Sequence, residues 1–334
     1  MTMTTSSSSS AAAPQHAYFY PALLLGLGSI IALLLIGLVI PKWLLFLVTI
    51  AAANGLVSLG IVILMRSGVV SFGQGMVFAL GGYAAALAYG KLGITDALVL
   101  SLGGGLVAVI LSAPFAYLIA RYRGIFFAML SLSLSMVLYG ILIKSESMGG
   151  SDGFNMGRPT LFGIRAADEW SSYLNYAVTI TLSGLCTLAT YIYFNSTRGL
   201  VSLAARDNEI RVEYLGSSVQ ELIATNYLLA AFMGGMGGAL AVIALGHIEP
   251  NFSYWTTSGE FVFVSILAGH YSVIAVFIAS TVLEIVRSFS SLYFPNTWQL
   301  VLGLFLLAVI RFLPRGIGSL WEKRVKKQQQ GERA

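Results

Sequence analysis

The chain has 334 residues, of which 57% are hydrophobic and only 10% charged, with a mean hydropathy of +0.82 and a formal net charge of +5. One soluble domain of this size cannot hide that much apolar surface, so composition excludes an ordinary globular enzyme and predicts an all-α polytopic membrane protein. The apolar runs do not alternate, which excludes a β-barrel, and the positive excess gathers at Lys323, Arg324, Lys326 and Lys327, which fits a membrane-surface tail and not nucleic-acid binding.

Residues 1–17 are rich in Thr, Ser and Ala and predict a disordered tail. They lack the basic n-region of a secretory signal, so the first apolar run is expected to be a retained span. Apolar runs fall near 22–40, 43–65, 71–90, 96–120, 125–144, 172–194, 220–245, 259–270, 272–291 and 298–313. They predict about 8–10 transmembrane helices in a membrane domain over 18–317, with a charged insert at 195–219 and a basic tail at 318–334. At 1.5 Å per residue the 259–270 run is too short to cross alone, so a half-helix or re-entrant segment is expected there.

The positive-inside rule orients the set. With both termini in the cytoplasm, 13 Lys and Arg residues lie inside, including Arg66, Arg121, Arg123, Arg198, Arg206 and Arg211, against 6 outside. In that orientation spans 2–5 begin outside and spans 7–10 begin inside, which permits an inverted repeat. The loop 145–171 falls outside, where it could meet an extracytoplasmic partner.

The charged insert reads as two short helices. Leu200, Leu203 and Ala204 can share a face of the first. Asp207 or Asn208 can cap the second, with Glu209 in its first turn and Gly216 closing it. A solvated connector and a docking element for a soluble protein both fit this pattern.

Polar residues within apolar runs are the other candidates. Ser71 and Gln74 lie three apart in a Gly/Ser-rich stretch, and Ser131 and Ser135, but not Ser133, share a helix face. With Asn54 and Asn226 they can line a translocation path, or they can serve packing alone. Gly234-Gly-Met-Gly-Gly238 has small-residue spacing for helix packing, with a second subunit as one candidate partner. Glu284 and Arg287 are spaced to pair, and with Glu260 they are the ionisable groups within the apolar runs; a structural ion pair near the outer interface is expected, with a proton relay or a substrate counter-ion as the alternatives. His247 and His270 lack ligating neighbours and the lone Cys186 reads as a core residue, so no metal site is expected. No phosphate loop, nucleophile elbow or H-E-x-x-H motif occurs, so no catalytic residue is expected and this chain cannot cradle ATP itself.

Five segments in order carry a resemblance. They are Ser67-Gly68 through Ser71-Phe-Gly73-Gln74-Gly75 to Gly81-Gly82-Tyr83, then Arg123-Gly124-Ile-Phe-Phe-Ala128, then Gly149-Gly150-Ser151-Asp152-Gly153. Arg198-Gly199…Ala204-Ala205-Arg206-Asp207-Asn208-Glu209…Leu215-Gly216 and Arg311-Phe-Leu-Pro314-Arg315-Gly316 complete the set. Over roughly 45–317 the chain resembles the ABC-transporter permeases of branched-chain amino acids, the LivM-like type. Two departures bear on specificity: Gln74 stands where the family often has His, and Ala268-Gly-His-Tyr-Ser272 replaces a glycine-rich turn.

The resemblance implies the integral-membrane subunit of an importer for a small polar organic solute, with branched-chain amino acids the default and related amino acids, amides, urea and aromatic acids as alternatives. It implies a second homologous permease subunit, two ATP-binding subunits that use ATP and Mg, a periplasmic solute-binding protein, and a bacterial inner (plasma) membrane as the setting. It casts Gly199, Ala204, Ala205, Arg206, Asp207, Asn208, Glu209 and Gly216 as the coupling loop to the ATPase. A stand-alone secondary transporter or channel would instead need a mid-membrane ion site, and a membrane-embedded enzyme a cluster of His, Asp, Glu or Cys.

Overall fold

The computed structural model describes residues 19–161, 163, 170–269 and 272–312. The expected tails at 1–17 and 318–334, together with Arg165, His270 and Pro314 to Gly316, lie outside the described residues. Twelve α-helices are described: α1 Phe19–Gly37, α2 Lys42–Arg66, α3 Gln74–Leu92, α4 Ala97–Ile119, α5 Gly124–Lys144, α6 Ser171–Asn195, α7 Thr197–Asp207, α8 Glu209–Tyr214, α9 Val219–Leu245, α10 Trp255–Ala268, α11 Val273–Tyr293 and α12 Trp298–Phe312. Six of them (α2, α4, α5, α6, α9 and α11) are long and apolar enough to cross a membrane. The protein is an all-α polytopic membrane protein; among the described residues Phe154–Asn155 also pairs antiparallel with His247–Ile248, which ties the α5–α6 connection to the end of α9.

Helix starts follow local chemistry. The Asp96 carboxylate accepts from Leu98 N and Val99 N (2.9 and 3.3 Å) ahead of α4, and Ser218 Oγ accepts from Glu221 N ahead of α9. The start of α3 differs from expectation. The apolar run begins at 71, yet the helix begins at Gln74. Ser71 Oγ accepts from Gly73 N (3.2 Å) and Ser131 Oγ accepts from Phe72 N (3.1 Å), so side-chain oxygens take the backbone donors that would open the helix. Ser71 therefore sits in an irregular segment, Ser67–Gly73, and not on a helix face with Gln74.

The centre is a crossing of α2 and α9. A Cβ at Gly60 would lie 2.9 Å from the Ala230 backbone, and one at Gly237 would lie 2.7 Å from the Ala53 carbonyl. The 177-residue step from Lys42 to Val219, the first residues of the two helices, also takes Gly60 to Gly237 and Ala53 to Ala230. The two contacts are therefore equivalent positions used twice. The neighbours repeat the exchange: α4 packs on α9 as α11 packs on α2, α3 on α9 as α10 on α2, and α3 on α4 as α10 on α11. Blocks α2–α5 and α9–α12 are thus related as an inverted repeat, and the insert α6–α8 lies between them.

Gly234–Gly238 does not face another subunit. Gly235 meets Ala108 and Gly104 of α4, Gly237 meets α2, and Gly234 and Gly238 meet Val77 and Phe78 of α3. Four helices of one chain need these small residues to approach one another, which leaves the stripe buried. Helix α10 has 14 residues, about 21 Å at 1.5 Å per residue, short of the ~30 Å hydrocarbon core. The chain before it, Gly246–Tyr254, is not α-helical and includes a 3₁₀ turn at Pro250–Ser253.

Candidate functional site

The insert folds as α7 and α8. Ser196 Oγ caps α7 at Gly199 N (3.3 Å), and Asn208, not Asp207, caps α8 through Arg211 N (3.0 Å). Gly216 closes the pair at φ 87°, a conformation that strains any residue with a Cβ. Gly199 is packed against the Tyr193 carbonyl, where a Cβ would lie at 2.2 Å. Ala205 and Val212 are buried against Leu64, Val69, Phe127 and Ile223, so the pair is anchored on α2, α5 and α9. Arg123 Nε donates to both oxygens of Glu209 at 2.9 Å and fixes α8 to the start of α5. Ala204, Arg206, Asp207 and Asn208 stay exposed. So do Leu200, Leu203, Ile210, Tyr214 (87%) and Leu215 (85%). The insert is thus a two-helix platform with a buried underside and exposed apolar and charged residues.

The membrane-embedded candidates separate into three places. The first is a cradle at the start of α3. Ser135, in the middle of α5, donates to the Ser253 carbonyl at 2.7 Å, and Gly75 N donates to Ser258 Oγ at 2.9 Å. The α3 N-terminus, the 3₁₀ turn and the α10 N-terminus therefore meet halfway along α5, with Ser71 and Ser131 beside them. Gln74 is 1% exposed and its Oε1 has no hydrogen-bond partner, an unsatisfied acceptor at membrane depth. Sequence reading found Ser71, Gln74, Ser131 and Ser135, and missed Ser253 and Ser258, which come from a segment with no periodic signal.

The second place is Asn54, which donates to Glu284 at 3.5 Å. Here the expected Glu284–Arg287 pair is corrected: Arg287 Nη1 bonds Glu260 Oε2 at 3.0 Å across to α10, and its guanidinium lies 5.5 Å from the Trp298 ring centre. An interhelical partner wins over the i,i+3 neighbour because Glu284 turns to α2. Asn54 is at the midpoint of α2, so Glu284 reaches further into the membrane than an interfacial ion pair would.

The third is Asn226, fully buried near the start of α9. Its Nδ2 donates to Ser67 Oγ and Ser202 Oγ (both 3.1 Å), and its Oδ1 accepts from the Tyr193 hydroxyl. It does not join the cradle.

A cavity of about 650 Å³ between α1, α2, α6 and α11 is separate from all three. The hydroxyls of Ser29, Ser183, Thr187 and Thr281 on its wall each bond a carbonyl of their own helix, which leaves that wall apolar. Among the described residues no group of three His, Cys, Asp or Glu is placed to hold a metal.

A family model described as the permease component of branched-chain amino acid transport systems matches residues 43–310. The chain belongs to that family. No curated protein and no solved structure matches it. The match runs from the second residue of α2 to within two residues of the end of α12, so the permease component comprises both repeat blocks and the insert between them, with α1 before it. It is a multi-pass membrane transport component.

Proposed function

We propose that this chain is the integral-membrane permease subunit of an ABC importer for a small polar organic solute. Branched-chain amino acids come first, then related amino acids, amides, urea and aromatic acids. The observation that carries this reading is the α7–α8 platform, anchored beneath and apolar above, on one end of a transport component. Its partners would be two ATP-binding subunits on that platform, which use ATP and Mg, a second homologous permease, and a periplasmic solute-binding protein opposite. The membrane would be a bacterial inner membrane with both termini cytoplasmic. Closure of the ATP-binding pair would push on 199–216 and switch the helices between outward- and inward-open states. Specificity would come mostly from the binding protein, since a permease that held solute tightly would retain it.

The test is purification of the tagged chain from its native membrane in mild detergent, with mass spectrometry of what accompanies it. Recovery of a second permease and nucleotide-binding subunits supports the importer. A monomer or homodimer that persists after crosslinking, with uptake independent of any ATPase, supports a stand-alone secondary transporter or channel, to which Glu284 at the level of Asn54 would lend a membrane-depth carboxylate.

The cradle gives this reading a residue-level test. Gln74→Leu removes a buried acceptor with no partner, so the thermal midpoint is expected to hold or rise, by up to about 1 kcal/mol of stability. Uptake is expected to fall or change its solute preference while the ATPase subunits still copurify. A stabilised protein with unchanged uptake of every candidate solute would return Gln74 to packing.

A further inference from the structure

Three observations converge on the base of the α7–α8 platform. Asn226 bonds three residues on three other elements: Ser202 in α7, Ser67 where α2 ends, and Tyr193 near the end of α6. All of its bonds are side chain to side chain, so α9 is tied there to groups that can move relative to it. Second, Gly68, at φ 84°, lies directly under α7, where a Cβ would meet the Arg206 Cα at 3.4 Å. Val69 shares one buried cluster with Ala205 and Val212. Third, the segment that starts at Ser67 ends at the cradle, where Phe72 N and Gly73 N are held by Ser131 and Ser71. A displacement of α7 therefore reaches the start of α3 through one short non-helical stretch, and Asn226 fixes the near end of that stretch.

We propose that Asn226 is a positioning residue for coupling: its amide clamps α7 to Ser67 so that movement of the platform is carried along Ser67–Gly73 to the α3 N-terminus, and it takes no part in contacting solute. The proposal rests on the importer reading. An amide suits the task because it offers donors and an acceptor at once, so one side chain satisfies three hydroxyl partners without leaving a charge in the membrane. A residue kept only for packing would not need three polar partners on three elements.

The experiment uses the whole transporter, this chain with its copurified partners, in proteoliposomes with candidate solutes supplied on the binding protein. Ser202→Ala, Ser67→Ala and Tyr193→Phe each remove one leg of the clamp with little change of shape, and Asn226→Leu removes all three. Expected for the single-leg variants is ATP hydrolysis within about twofold of the parent, with ATP consumed per solute raised about tenfold. The Ser67→Ala/Ser202→Ala double variant should be little worse than either single, because the legs act as one unit. Solute preference should stay that of the parent.

A hydrolysis-to-transport ratio equal to the parent's in correctly inserted single-leg variants would overturn the clamp. So would an altered solute preference, which would return Asn226 to the path. Should Asn226→Leu fail to insert, the three single-leg variants still decide. Absence of ATP-dependent uptake by the unaltered complex would instead sink the importer reading, and that result is separate from any variant.

Discussion

Gly81→Ala is expected to disrupt the fold in the membrane, while Gly103→Ala is expected to be tolerated. A Cβ at Gly81 would lie 1.9 Å from the Gly235 carbonyl oxygen, and one at Gly238 1.9 Å from that of Phe78. These obstacles are backbone and cannot rotate away, so α3 and α9 must separate. Overpacking of this kind costs about 3 kcal/mol or more. In lipid the loss is severe, because helix association there depends on close packing and not on exclusion of water. Gly104 has the same exposure to damage, with Ala239 and the Gly81 carbonyl each 2.8 Å from a new Cβ, whereas Gly103 has open space. Adjacent alanines should therefore have opposite signs, with Gly103→Ala gaining up to about 1 kcal/mol from helix propensity. Thermal unfolding of detergent-solubilised variants reads both. Equal midpoints for Gly103→Ala and Gly104→Ala would contradict the packing described for α3, α4 and α9.

Replacement of Arg206, Asp207 and Glu209 together by Ala is expected to leave insertion intact and lower ATP-driven uptake at least about tenfold. The structure separates the three. Glu209 is held by Arg123 in a partly exposed ion pair, worth about 0–1 kcal/mol to stability, so its loss should loosen α8 without unfolding the protein. Arg206 and Asp207 are exposed on the platform edge and are free to meet a partner. Arg123→Ala should therefore reproduce the Glu209 share of the defect, and the double Arg206/Asp207 variant should weaken copurification of the ATPase subunits. The checks are a binding assay in detergent and uptake in proteoliposomes. Normal coupled uptake by the triple variant would remove the loop from the mechanism.

The six long apolar helices were legible because their signal is redundant: apolar runs of the length of a bilayer, separated by charge or glycine. The platform was legible for a related reason, since Asn208, Glu209 and Gly216 mark helix ends by local chemistry. Hydropathy is blind to backbone direction, however. Ser67, Gly68, Ser71 and Gly73 signal a break between two apolar runs, but they do not say where the next helix starts; the hydroxyls that capture Phe72 N and Gly73 N decide that. Pairings across the fold were likewise hidden. Arg287 reaches Glu260, and Asn226 reaches Ser67 and Ser202, because of where helices cross, and spacing along the chain cannot say that. The glycine stripe of α9 was readable as a packing surface, but its partners turned out to be the chain's own α2, α3 and α4.

The doubled contact between α2 and α9 has a mechanical consequence. Gly60 on Ala230 and Gly237 on Ala53 are two points seven residues apart along the same pair of rods, each with backbone against backbone. Two rods pinned at neighbouring points can tilt about the space between the pins, but they cannot part at both. Any tilt that relieves one pin loads the other. On the importer reading proposed above the pair would serve as a seesaw: a gap opened toward one face of the membrane would be matched by a closure toward the other, and a leak open to both faces at once would require breaking the pivot.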